Sequence, residues 1–194
     1  MKTKIKTRDI VLIGAFAALT AIGALFLSIP IKPVPITLQT FFTALSGVIL
    51  GSKRGAMSQL VYVLLGLIGI PVFAGFTGGL GVIASPSFGF LIAFIVGAYV
   101  IGKITENLKK ENNILTGIKL LAAVFCGYMV IYLIGLPYMY FILHVVMGSS
   151  ITVLESLKVG MLIFLPGDIV KCIIISIIGV ALLPRLGIAE DYGV

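Results

Sequence analysis

The chain has 194 residues, 60% of them hydrophobic and only 11% charged, with a mean hydropathy of +1.23. A soluble domain carries about 25% charged residues, so the composition excludes one and predicts an all-α integral membrane protein forming a single membrane domain, 1–194. The net charge of +7 does not point to nucleic acid, because the basic residues gather at the ends of apolar segments, where they set membrane orientation.

Lys2, Lys4, Lys6 and Arg8 precede an uncharged run from Ile10 to Ile31, 22 residues long. The apolar core of a secretory signal spans about 7–15 residues and is not followed by further spans. The run is therefore read as a first transmembrane helix over 9–28. Gly14, Ala17, Ala18, Ala21 and Ala24 recur along it at three- and four-residue spacings. Such a stripe lets helices approach closely. Internal packing and a docking face for another membrane subunit are both open readings.

Pro30, Pro33 and Pro35 end that helix, since proline removes a donor and clashes with the preceding turn. A second helix is expected over 36–51. Its first turns carry Thr37, Gln39 and Thr40, and Gln39 is open to a ligand contact or an interhelical hydrogen bond. Ser52-Lys53-Arg54-Gly55 reads as a basic turn, followed by a third helix over 55–70. From Gly55 to Gly102 there is no charge. The connection over 71–87 holds Pro71 and Pro86 with Gly75, Gly78, Gly79 and Gly81. Apolar but non-helical backbone is tolerated at membrane depth only when buried in protein or lining a cavity. The loop is therefore either a ligand wall or a tight connection.

A fourth helix is expected over 88–105 and a fifth over 118–136, ended by Pro137. Tyr138, Tyr140 and His144 then have interfacial character, and Tyr128 reads as packing. Glu155 and Lys158 fall in the last loop. The sixth helix, 166–184, opens on Pro166-Gly167-Asp168-Ile169-Val170-Lys171. Its uncharged part, Cys172 to Pro184, covers about 20 Å, whereas Pro166 to Pro184 covers about 28 Å, close to the ~30 Å hydrocarbon core. Asp168 and Lys171 thus belong to the span or its edge, where ionisable residues are candidates for function. A cap role is open to Asp168. A structural pair three residues apart, or an outward-reaching lysine, is open to Lys171.

With six helices, eleven of the fourteen basic residues fall on one side and only Lys32 and Lys158 on the other. The positive-inside rule then puts both termini in the cytoplasm. The glycine-rich loop and the Pro166 end of the last helix share the outer side. No phosphate-binding G-x-x-x-x-G-K-[ST], H-E-x-x-H or G-x-S-x-G occurs, so no enzyme is expected. Cys126 and Cys172 read as small buried hydrophobes, and neither a metal site nor a cofactor is expected.

Val34-Pro35-Ile36-Thr37-Leu38-Gln39-Thr40, the run from Gly66 through Pro71-Val72-Phe73-Ala74-Gly75-Phe76 and Gly78-Gly79-Leu80-Gly81 to Gly89, and Pro166-Gly167-Asp168-Ile169-Val170-Lys171 together resemble the biotin-specific S component of energy-coupling-factor (ECF) transporters, the BioY family. The likeness covers nearly the whole chain in matching order. Ser87 stands where that family often has threonine, and its hydroxyl keeps the chemistry. The resemblance implies a six-helix S-component fold, biotin capture at the outer face, and assembly in membrane lipid with a transmembrane coupling subunit and two ATPase subunits. It implies a partner-docking stripe over Gly14, Ala17, Ala18 and Ala21. The ligand residues expected are Asp168, Lys171, Gln39, Phe73, Gly75, Phe76, Gly79 and Ser87. Asp168 has acceptors for ureido N–H groups, and Lys171 has donors for either the ureido carbonyl or the valerate carboxylate. An S component for another small vitamin, a secondary transporter with Asp168 as proton relay, and a ligand-free membrane scaffold are the alternatives.

Overall fold

A computed structural model of the chain describes residues 6–108 and 113–184. Lys2, Lys4, Lys109, Lys110 and Arg185, five of the residues used to orient the chain, lie outside them. Among the described residues, four helical stretches are long and apolar enough to cross a membrane: Thr7–Leu25, Phe88–Glu106, Ile114–Val146 and Val153–Leu182.

Helix α1 covers Thr7–Leu25. It stops before the expected Ser28 because the chain enters a short strand β1, Ser28–Ile29, which pairs antiparallel with β2, Ile36–Thr37. The proline segment is the return between them. Leu38 N–H donates to the carbonyls of Gly23 and Leu27, pinning the start of the next helix to the end of α1.

That next element moves the expected turn from Ser52–Gly55 back to Gly51. The segment α2, Gln39–Leu67, is two helical arms that meet at one residue, Gly51, with φ 78° and ψ −176°. This is backbone that essentially only glycine adopts. Ser52 to Gly55 are already helical. Gln39 meets Tyr62, and Thr43 meets Gln59. A Cβ on Gly55 would lie 3.0 Å from Gly47. The two arms therefore run antiparallel in contact. Their tip needs no loop because its polar groups find partners elsewhere. Glu106 accepts from both the Ser52 N–H and hydroxyl at 2.8 Å, capping the second arm, and Arg54 Nε lies 3.1 Å from buried Asp9 of α1.

Helix α3 covers Phe88–Glu106, and α4 covers Ile114–Phe141. The start of α4 lies ahead of the expected 118 because the Asn113 side chain accepts the Thr116 N–H at 2.8 Å, as an N-cap. Pro137 lies inside α4 instead of ending it. Proline is tolerated in membrane helices, where neighbours re-satisfy the freed backbone. The chain continues through a wide π turn, Ile142–Val146. Glu155 and Lys158 are helical too: α5, Val153–Leu157, opens on a Thr152/Glu155 capping box and leads through a second wide turn, Lys158–Leu162, to α6, Leu165–Leu182. Cys172 is buried, but Cys126 is exposed on the bundle's outer surface.

Close contacts organise the centre. A Cβ on Gly102 would lie 2.3 Å from the backbone of Gly51 and Ser52, and one on Gly127 would lie 2.2 Å from Ile101. Beside this apolar packing sits one polar cluster. The fully buried Gln59 amide joins Thr20 of α1 to Thr43, Ser46 and Ser58 of α2. Gln59→Leu takes the acceptor from the buried Thr43 hydroxyl, while Thr20, Ser46 and Ser58 keep their backbone carbonyls. The expected loss is about 1–3 kcal/mol, read as a lowered unfolding temperature of the detergent-solubilised chain.

Candidate functional site

Three helix ends and the glycine-rich loop converge on a cavity of about 460 Å³. Its polar floor is built by α6. Pro166 starts that helix in its first turn, where the missing N–H costs nothing. One turn on, Asp168 and Lys171 share a face and pair at 3.0 Å. They are 5% and 7% exposed, so neither reaches out to the headgroups. Lys171 Nζ also donates to the Thr37 carbonyl at 3.0 Å and to the Thr40 hydroxyl at 2.9 Å. All three ammonium protons have acceptors. Asp168 Oδ1 accepts from Lys171, and Oδ2 accepts from the Tyr132 hydroxyl of α4. Tyr128, one turn earlier on α4, donates to the Thr40 carbonyl at 3.3 Å. The pair is therefore a neutral unit tied to α2 and α4. Such satisfaction is what makes a buried ion pair tolerable.

The α2 wall carries Gln39. Its amide donates to Tyr62 at 2.6 Å and accepts from Thr37 at 2.8 Å. Tyr62 in turn donates to the Val72 carbonyl at 3.2 Å and packs edge-on against Phe73. The Phe73 ring lies directly over Gly66, where a Cβ would be 2.0 Å away. This bond chain fixes the loop to the helix. The loop itself is shaped by an antiparallel bridge between Phe73 and Thr77 and by a 3-10 turn over Leu80–Ala84. Tyr138 of α4 reaches across to the Ile83 carbonyl at 2.6 Å. The continuation of α4 past Pro137 makes that contact possible.

Asp168, Lys171, Gln39, Phe73 and Ser87 all line the cavity. Ser87 does so with Ser85, their hydroxyls 3.1 Å apart. Gly75, Phe76 and Gly79 do not line it. Phe76 is 60% exposed, with φ 57°, and packs edge-on against Phe26 of the α1 end. The hairpin-like bridge turns its ring away from the floor. Sequence reasoning missed Tyr132 and took Tyr128 as packing. Two tyrosines four residues apart on an apolar helix share one face, which was the available signal. It also missed the apolar walls, Phe90, Leu91, Phe94, Ile131 and Phe164. Nothing separates these from ordinary core residues by type.

The small-residue stripe divides. Ala17 is 2% exposed and belongs to the core, whereas Gly14 and Ala18 are exposed and Ala21 is half-buried. Helical rotation puts Ala17 toward the bundle, since α1 turns its Ile13, Phe16, Ala17, Thr20 and Ala24 face inward.

Comparison with known proteins gives concordant results. The profile of the BioY family matches residues 1–187. The biotin transporter BioY of Rhizobium etli is 39% identical over 91% of this chain and 94% of its own length. That of Thermotoga maritima is 38% identical over 90% and 95%. The crystal structure of the S-component for biotin from an ECF-type ABC transporter superposes with a TM-score of 0.80 at 30% identity, covering 95% of each chain.

Proposed function

The chain belongs to the BioY family, and on that premise we propose that it is the membrane subunit that captures biotin at the outer face for ATP-driven uptake by an energy-coupling-factor transporter. The observation that carries this reading is the buried Asp168–Lys171 pair at the floor of a cavity with apolar walls. The Asp168 carboxylate keeps spare lone pairs that suit the N–H donors of a neutral urea-like group, and a Lys171 proton reaches the ligand carbonyl only by giving up Thr37 or Thr40. A carboxylate finds no net positive charge there. The ureido ring of biotin goes to the floor, its rings lie between Phe73 and the α3 and α4 walls, and the valerate chain runs toward Thr77, Gly78 and Gly81, which are exposed at the loop. Gln39 and Ser87 supply neutral polar contacts along the way.

In this reading the chain is one membrane domain crossing the bilayer six times. The two arms of α2 supply two crossings, and lipid covers outward side chains such as Leu133 and Ile177. The basic residues hold both termini in the cytoplasm. The chain lacks a nucleotide-binding motif, so ATP is hydrolysed by two partner ATPases joined through a transmembrane coupling subunit. Purified protein alone in liposomes then accumulates no biotin on a proton gradient, and gradient-driven uptake that an uncoupler abolishes would overturn the reading. Biotin copurifying with the protein, identified by mass spectrometry and displaced by labelled biotin, is the direct test of capture.

The coupling subunit docks on the outward face of α1, at Gly14, Ala18 and the edge of Ala21. Ala17 supports that face from inside. Ala18→Trp places a bulky side chain where helices must approach closely. It leaves biotin binding by the isolated subunit within about twofold and abolishes co-purification with the coupling subunit. Full uptake by this variant would place the partner elsewhere.

A further inference from the structure

The cavity's charge balance bears on which ligands the site accepts, and this step rests on the functional reading above. Among the described residues that line the cavity, Lys171 is the one cation. Its three donors are already held by Asp168, the Thr37 carbonyl and the Thr40 hydroxyl. Its charge is cancelled at 3.0 Å by Asp168. The remaining polar lining is neutral: Gln39, Thr77, Ser85, Ser87 and the two tyrosines. The floor is buried, whereas Thr77, Gly78 and Gly81 at the loop are exposed. An anionic tail that reaches the loop stays in contact with water and meets hydroxyls and backbone. It meets no uncommitted cation.

We infer that the site reads the ureido bicycle and not the charge of the tail, so that it takes neutral carboxyl derivatives of biotin, amides above all, as a further ligand class. A carboxamide replaces the carboxylate with almost no change of size, offering two N–H donors and a carbonyl to the same hydroxyls. Were the carboxylate held by a charge-assisted bond, its replacement would forfeit the strongest contact at that end.

The test is competition against labelled biotin by biotinamide, on the full chain purified in detergent. The expected result is an inhibition constant for biotinamide within tenfold of that for unlabelled biotin. A constant more than tenfold weaker, with biotin itself binding, overturns this inference and leaves the functional reading standing. Failure of biotin to bind at all overturns the functional reading instead. Lowering the pH through the carboxyl range gives a second readout. Tail-blind recognition keeps the ratio of biotin to biotinamide affinity constant while the carboxylate takes up its proton, because the protein's own groups act on both ligands alike, whereas a fall in biotin affinity that biotinamide does not share overturns it.

Discussion

Lys171→Met is expected to lower biotin affinity at least about thirtyfold, equivalent to about 2 kcal/mol, and Asp168→Asn is expected to do the same. Each variant removes one half of a pair that is buried from solvent and tied to Thr37, Thr40 and Tyr132. The methionine keeps the length of the side chain but leaves the carboxylate with only the tyrosine, and a buried charge deprived of its partner is costly. The asparagine keeps the shape but turns an acceptor into a donor on one side, so one bond to Lys171 or Tyr132 is lost along with the charge. Equilibrium binding with labelled biotin reads the affinity. The unfolding temperature without ligand reads folding separately, because the lost pair also weakens the α2–α4–α6 junction. If folded variants bind biotin like the parent, Asp168 and Lys171 serve as a structural pair only and the cavity floor is not the ligand site.

Gly102→Val is expected to prevent recovery of folded protein. The added Cβ would lie 2.3 Å from the Gly51 carbonyl carbon and the Ser52 nitrogen. Those are backbone atoms at the reversal of α2, where φ 78° leaves no alternative residue to yield. Overpacking a core side chain costs about 1–3 kcal/mol, occasionally more. Collision with backbone at a reversal belongs to the upper end, because α3 must move away from the tip and release the Glu106 cap on Ser52. Gly117→Ala is the control, since its Cβ would meet only Val180, at 3.5 Å. Size-exclusion chromatography after solubilisation separates the outcomes. A monodisperse Gly102→Val peak with native unfolding temperature would show that the α2–α3 contact yields freely.

These two cases mark what the sequence made legible. Asp168 and Lys171 stood out because charge inside an otherwise apolar span is expensive, and their spacing put them on one face. The non-helical loop was visible through its prolines and glycines, and the hydropathy pattern located the long apolar stretches. The reversal at Gly51 was not legible, because a single glycine in an apolar run marks many things, and two adjacent basic residues look like a loop. Pro137 failed as a stop signal because a membrane helix tolerates proline that water would penalise. Tyr132 and the rotation of about 100° that separates Ala17 from Ala18 depend on how each helix is turned against its neighbours, which only packing decides. Phe76 was drawn into the site by its neighbours in sequence, and a one-residue bridge turned it away.

The Gln59 cluster has a mechanical corollary. Thr20 and the hydroxyls of α2 meet on one amide, and Thr20, Ser46 and Ser58 also donate to carbonyls of their own helices. A slide of α1 by one residue, about 1.5 Å along its axis, would break the Thr20–Gln59 contact that ties it to α2. The first helix and the α2 hairpin are therefore joined as one unit. Its outer arm carries the exposed glycine and alanine of α1, and its far end carries Thr37, Gln39 and Thr40 on the cavity wall. The α4–α6 side is joined to that wall through the Lys171 and Tyr128 bonds, so the cavity is closed by hydrogen bonds between the two halves.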